Sequence, residues 1–402
     1  MRRVLLVLGV ALAALPVPAQ KGKGKGGKPE RPAWKRPVRV PGLGRPHCKV
    51  CQDRGWKWCP RHKKAFRDLE EGVPFCSVRD ECKVCGGALR VDCKACRNPR
   101  AETWLREERA RQAKWLAGRR KIDSLARHRL MHAASPHFEL MFDIPRLKVG
   151  RRTLDQHHLL HLYLDRLEAL YERFKKVLAC SDSDFHPPFR IFIWNNARDQ
   201  ARVAPRITGV GGSGGTGSKL LGSRPAFTVA KGRGTRSDED LHRCLVHNAA
   251  HLMLSNISPC VWIGKRKAGW LDAGVAHYFE FLLDGRCTNF CYTEQNTMTG
   301  FRGGKWRAYL RSKVALGVRL PSFPSFYNKL IDELTPLEHA LSFSYVEFLL
   351  TVYGGAKMKR FVRGIMEKRP QREVFREVYG FGILELEKKW RDHVLATYPV
   401  RE

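Results

Sequence analysis

His247-Asn248-Ala249-Ala250-His251, followed nineteen residues later by Trp270-Leu271-Asp272-Ala273-Gly274-Val275-Ala276-His277-Tyr278, decides how this chain is read. Histidines four apart on a helix lie on one face, one turn apart, and can share a metal ion. The side chain after the first histidine then stands beside the metal-bound water, where a base takes the water's proton. Asn248 puts an amide there, and an amide has no basic lone pair at neutral pH. The stretch carries a metal-binding frame and lacks the group that would drive hydrolysis. Ser237, with Asp240 three residues on, predicts the start of this helix. Leu241, Leu245, Leu252 and Met253 predict its buried side.

The two segments together resemble the peptidase MA-like, gluzincin-type metalloproteases. That family pairs an H-E-x-x-H helix with a downstream W-L-x-E-G-x-A-x-Y helix, whose glutamate is the third zinc ligand. Trp270, Leu271, Gly274, Ala276 and Tyr278 match the second motif in place. Ser344-Tyr345-Val346-Glu347-Phe348-Leu349 before Tyr353-Gly354, then Val378-Tyr379-Gly380 and Leu386-Glu387-Lys388-Lys389-Trp390, resemble the family's carboxy-terminal helices. The likeness runs roughly from Ser135 to Leu395 and implies an α+β fold, a zincin-like (gluzincin) domain.

The departures from the family pattern fall on its chemistry. Asn248 replaces the general base, and Ala273 stands where the third ligand belongs. Two histidines leave a zinc site short of its usual three protein ligands. Loss of a general base costs about 10²–10⁴ in rate. Asp272 is one residue off the ligand position, so on a helix its side chain points about 100° away. His277, one turn from Ala273, shares its face and is the better substitute ligand. In the alternative, His247 and His251 are ordinary cleft or core histidines. The paired losses predict no catalytic residue and count against a zinc ion in the cleft.

A second signal lies upstream. Cys48-x-x-Cys51 is followed after seven residues by Cys59-x-x-His62, and Cys82-x-x-Cys85 after seven by Cys93-x-x-Cys96. Each tight turn offers two ligands, and two turns complete a tetrahedron around zinc. This predicts two structural zinc ions. Pairing by sequence order and nested pairing, with the outer pairs sharing one ion, both satisfy the spacing. Disulfides are the competing reading in an oxidising compartment, but His62 in a ligand slot suits a metal better. The stretch loosely resembles the cysteine-rich zinc domain of DnaJ-type chaperones, including Gly86-Gly87 after Cys85. It lacks the regular glycine spacing, so the likeness supports zinc and not chaperone function. Cys76, Cys180, Cys244, Cys260, Cys287 and Cys291 are left over as core thiols or disulfides.

The 402 residues carry 74 Lys and Arg against 39 Asp and Glu, a formal charge of +35. Such an excess favours polyanions. Lys21 to Lys64 holds fifteen basic residues against Glu30 and Asp53, which reads as a flexible basic arm. Arg2-Arg3, the apolar run Val4 to Leu15, and Val17-Pro18-Ala19 before Gln20 read as a secretory signal, too short for a membrane span.

The expected organisation is a signal peptide over 1–19, a basic Gly/Pro/Lys-rich linker over 20–46 and a cysteine-rich zinc module over 47–98. A charged linking helix follows over 99–133, and the peptidase MA-like domain covers 134–402. Strands are predicted at His137–Phe142, Phe189–Trp194 and Ala226–Val229, with an amphipathic helix around Leu160 to Leu178. Gly209-x-Gly211-x-x-Gly214 has dinucleotide-loop spacing, but no strand precedes it and no helix follows, so it reads as a loop beside a cleft.

Three functions compete. One is an exported binding or scaffold protein, in the periplasm, the envelope or outside the cell, that holds a protein or peptide ligand without cutting it. It would make no integral membrane contact once the signal is removed. The second is a metallopeptidase with non-standard ligands, His247 and His251 plus His277 or Asp272. The third is polyanion or nucleic-acid binding by the basic module, with Trp56 and Trp58 available for stacking.

Overall fold

A computed structural model describes residues 48–209, 218–220, 224–232, 234–289 and 301–401. The expected signal peptide (1–19), the basic linker (20–46), Cys291 and most of the glycine-rich stretch lie outside the described residues.

The amino-terminal part is built on a short ribbon. Trp56–Trp58 (β1) leads through Lys64–Glu70 (α1), Phe75–Cys76 (β2) and Ser77–Asp80 (α2) to Arg90–Asp92 (β3). β1 and β3 pair antiparallel, Trp56 opposite Asp92 and Trp58 opposite Arg90. The 28-residue helix Pro99–Ala126 (α3) follows. The Asn98 side chain accepts hydrogen bonds from the amides of Arg100 and Ala101, and Pro99 occupies the first helical position, where its missing N–H is not needed. Gly55 lets this helix meet the ribbon: its backbone has φ +73°, and a Cβ there would lie 2.5 Å from the Ala101 Cβ.

Met131–Ala134 (β4), Phe138–Phe142 (β5), the hairpin Arg146–Val149 (β6) and Arg152–Asp155 (β7), and the helix Gln156–Leu178 (α4) come next. Phe189–Trp194 (β8), Ala197–Thr208 (α5), Ser218–Leu220 (β9) and Ala226–Ala230 (β10) complete the strands. Six of them form one mixed sheet in the order β2-β4-β5-β8-β10-β9, in which β8 runs parallel to both β5 and β10. Side chains alternate between its faces, as the pleat requires. Phe138, Leu140, Phe142, Ile191, Ile193, Phe227 and Val229 join the main core with Leu160, Leu164 and Phe174 of α4. Met141, Phe192, Trp194, Ala226 and Ala230 form a second core with Ile122 and Ala126 of α3 and Val203 of α5.

The linking helix therefore ends at Ala126 rather than at the 133 boundary, capped by Arg127 in the left-handed region at φ 63°. His132 to Ala134 are strand residues, and β4 pairs with β2 as well as with β5. A strand from the cysteine-rich stretch is thus an edge of the main sheet. Alternation over so few residues was too short a pattern to read.

After β10 the described chain is helical: Asp238–Ser255 (α6), Gly269–Asp284 (α7), Trp306–Ala315 (α8), Phe323–Phe326 (α9), Pro336–Tyr353 (α10), Gly355–Met366 (α11), Gln371–Tyr379 (α12) and Ile383–Thr397 (α13). The architecture is mixed α and β. α7 lies between α6 and α10. Its Gly274 makes that possible, since a Cβ there would stand 2.4 Å from the Ser342 carbonyl oxygen. α10 is buried almost all round from Glu338 to Leu350, so its apolar residues occupy every face. No described helix is long and apolar enough to cross a membrane.

Candidate metal centres and the buried histidine cluster

The ribbon decides how the cysteine turns pair. Cys51 precedes β1 and Cys59 follows it; Cys85 precedes β3 and Cys93 follows it. Antiparallel pairing places the start of one strand beside the end of the other. Cys59 N–H donates to the Leu89 carbonyl at 2.9 Å, and Cys93 N–H to the Gly55 carbonyl at 3.0 Å. Cys48, Cys51, Cys93 and Cys96 therefore gather at one end, and Cys59, His62, Cys82 and Cys85 at the other. The arrangement is the nested one.

Both sets fit a tetrahedral ion. A Zn–S bond of about 2.3 Å implies sulfur atoms about 3.8 Å apart. Cys48 and Cys93 Sγ are 3.9 Å apart, Cys51 and Cys96 3.5 Å, and Cys59 and Cys82 3.8 Å. His62 Nε2 is 3.3 Å from Cys85 Sγ. A disulfide would need about 2.05 Å. The turns place the donors in the same way at both ends: Gln52 N–H bonds the Cys48 carbonyl and Gly86 N–H the Cys82 carbonyl, each at 2.8 Å. When bound, zinc would cross-link the two ends of a ribbon too short to hold itself together. Trp56 and Trp58 meet edge to face at 5.3 Å. Arg54 and Arg90 lie over the first ring, and Arg67 and Arg90 over the second.

The histidine helix is α6. Ser237 caps it by accepting from Asp240 N–H at 3.1 Å, and Asp238, Glu239 and Asp240 set negative charge against the positive end of its dipole. His247 and His251 point their Nε2 atoms at each other, 3.2 Å apart. Each turns its Nδ1 to a buried carboxylate: His251 to Asp272 Oδ1 at 2.6 Å, and His247 to Glu280 Oε2 at 3.2 Å. A ring that donates Nδ1–H to a carboxylate presents a lone pair at Nε2. Two such lone pairs at 3.2 Å repel unless a proton or a cation lies between them.

The other candidates fall around this pair. Asp272 binds His251 with one oxygen and accepts from Trp262 Nε1 with the other at 2.8 Å, so it orients a histidine from the outside. His277 brings its ring 4.8 Å from that of His247, and its Nε2 lies 3.1 Å from His339 Nδ1. Its Nδ1 is 3.5 Å from Glu280, so His247, His277 and Glu280 form a three-donor cluster. Ala273 is fully buried one turn before His277. Burial pushes His277 down to about 3, keeping it neutral. Burial pushes Glu280 up, but hydrogen bonds from His247 and His277 outweigh it and hold the carboxyl at about 2. Thr288 and Asn289 bind its other oxygen.

Asn248 faces elsewhere. Its amide donates to the Cys244 carbonyl at 2.9 Å, back along its own helix. Burial raises the Cys244 thiol to about 12, which disfavours its thiolate. His339 was not legible beforehand: a lone histidine in an apolar helix carries no spacing signal. Glu280 lies three residues after His277 in sequence, and the fold sets it against both His247 and His277.

No protein-family profile matches the chain, and no curated protein matches it. Among solved structures, a point mutant of a two-domain M1 zinc metallopeptidase bound to L-arginine matches at 14% identity and a TM-score of 0.31. The match covers 68% of this chain and 50% of that one. The chain spans about half the length of that structure, and likeness at this level carries no argument about fold or activity.

Proposed function

We propose that the chain is an exported binding or scaffold protein, a zincin-like domain without peptidase activity joined to a module held by two structural zinc ions. One observation carries this reading. The carboxylates that touch the histidine pair, Asp272 and Glu280, do so at the Nδ1 edges, and the residue that should stand on the water side is an amide bonded back into its own helix. The Nε2 side, where a metal and its water would sit, has no acid or base supplied by Asn248. The pair is also sealed, with His247 1% and His251 0% exposed, whereas a catalytic zinc keeps an open position for water or substrate. Ala273 supplies no third ligand. The partner would be a protein or peptide held against the domain without cleavage.

The test is hydrolysis of a broad peptide library by the full chain with added zinc. No cleavage above a His247→Ala control is expected. Zinc-dependent cleavage that this control abolishes would overturn the reading. A companion variant, Asn248→Glu with Ala273→Glu, asks whether the scaffold can still support the chemistry. Activity there and none in the parent would mark the loss as residing in these two positions.

The facing Nε2 atoms favour a second reading, in which a cation bridges His247 and His251 without catalysis. Zinc that His251→Ala removes, with no peptidase activity in the parent, would select it.

A further inference from the structure

The geometry points to a third metal site that joins the cysteine-rich stretch to α4, formed by Glu70, Cys76, His157 and His161 and suited to zinc. It does not depend on the reading of the histidine helix. Glu70 ends α1, Cys76 lies in the edge strand β2, and His157 and His161 stand one turn apart on α4, on one face of that helix. All four are buried, none more than 5% exposed.

Three of the four separations are close to those of a coordination shell, and the His157–Glu70 contact is shorter, at hydrogen-bonding distance. With Zn–S near 2.3 Å and Zn–N and Zn–O near 2.0–2.2 Å, the tetrahedral edges come to about 3.4–3.6 Å. Cys76 Sγ lies 3.8 Å from His157 Nε2, 3.8 Å from His161 Nε2 and 3.5 Å from Glu70 Oε1. His157 Nε2 is 2.9 Å from Glu70 Oε1, and all four donor atoms lie within 4.8 Å of one another.

Protons alone serve this cluster poorly. A thiol has one proton, and Cys76 Sγ faces three polar atoms. The second Glu70 oxygen, buried, has no hydrogen-bond partner. A divalent cation resolves the first, since a thiolate, both Nε2 atoms and Glu70 Oε1 can all face it. Thiolate and carboxylate carry two negative charges, two neutral imidazoles carry none, and the ion brings the sum to zero inside the protein, where an unbalanced charge is costly. A soft thiolate with two imidazoles selects zinc over magnesium or calcium, which prefer oxygen.

The surroundings hold the donors in place. Arg79 donates to the carbonyls of Val73 and Pro74, fixing the turn between Glu70 and Cys76. Phe66 stacks on the His157 ring at 5.5 Å and 17°. Binding forms one S–Zn bond as the Cys76 proton leaves to solvent, two N–Zn bonds and one O–Zn bond, with no change of oxidation state.

The experiment is zinc content of the full chain purified in zinc and freed of loose metal by gel filtration, with Cys76→Ser and His161→Ala beside it. Cys76→Ser preserves shape and guards against a variant that does not fold. The expected result is loss of one zinc per chain in both variants and no loss of that ion in His251→Ala. Retention of the wild-type count in Cys76→Ser and His161→Ala overturns the site. So does a Cys51→Ser, Cys59→Ser double variant, with one donor removed from each ribbon cluster, that retains no zinc. In crystals of the wild type, a zinc-edge anomalous peak between Cys76 and the two histidines would support it, and an empty map at that point would overturn it.

Discussion

His251 Nδ1 and Asp272 Oδ1 lie 2.6 Å apart with both side chains sealed from solvent. The pair ties α6 to α7, and Trp262 Nε1 closes the second Asp272 oxygen. Removing the carboxylate leaves the buried imidazole N–H without that acceptor, which typically costs about 1–3 kcal/mol. Asp272→Ala should therefore lower stability by that amount in a urea titration. A loss below about 1 kcal/mol would show that the pair behaves like a surface contact.

Nested pairing makes a stoichiometric prediction. Cys51→Ser with Cys96→Ser should remove one zinc, because both residues belong to the outer set. Cys51→Ser with Cys59→Ser should remove two. Sequential pairing reverses these counts, so metal analysis of the two double variants decides between them.

Asp238 accepts from Tyr163 Oη at 2.8 Å and forms a two-pronged pair with Arg166 at 2.6 and 2.9 Å. Burial raises its carboxyl, but the bonds from Arg166 and Tyr163, with added charge from Arg166 and His242, bring it below the ordinary carboxylate range. The folded-state pKa is depressed, so the stabilisation is present above about pH 4, the unfolded aspartate value. It is lost as pH falls through the lower folded-state pKa. Melting temperatures of the parent and Asp238→Asn should differ at pH 6 and converge in acid. A constant gap across that range would contradict this origin.

Gly274→Ala tests the crossing of α7 and α10. The new methyl would meet the Ser342 carbonyl oxygen at 2.4 Å and a Val346 methyl at 2.6 Å. Overpacking of this kind costs about 1–3 kcal/mol, and thermal unfolding should show it. An unchanged melting temperature would mean that the helices separate at no cost.

Asn248→Ala should behave as an ordinary substitution. It removes one amide bond to the Cys244 carbonyl from a half-buried position, a loss of about 1 kcal/mol. A much larger loss of stability would give Asn248 a structural role that its single backbone bond does not explain.

The sequence disclosed the long regular parts and the repeated ones. The Phe189 to Trp194 strand and the Leu160 to Leu178 helix appear where their periodicities place them, because burial acts along their whole length. The helix carrying His247 starts at its Ser237 cap, a local signal that needs no tertiary contact. The turns at Cys48, Cys59, Cys82 and Cys93 were legible as pairs of candidate metal donors, but their partners depend on the β1 and β3 register, which cysteine spacing does not encode. Cys76 read only as a core thiol or disulfide, and Glu70, His157 and His161 carried no signal that joins them to it. His157 and His161 have the right spacing, yet their partners lie more than eighty residues away and only the β2–β4 pairing brings them near.

The ribbon also has a direction. Its inner donors close a loop from Cys59 to Cys85, and its outer donors one from Cys48 to Cys96. Once the inner set is closed, only two arms of seven residues, between Cys51 and Cys59 and between Cys85 and Cys93, separate it from the outer set. Ordering short arms costs far less entropy than closing the whole loop afresh. If both sets bind zinc, assembly would run outward from the His62 end, and a competing chelator is expected to strip the all-cysteine end first. In stopped-flow chelation this would appear as two phases, with Cys96→Ser removing the faster one.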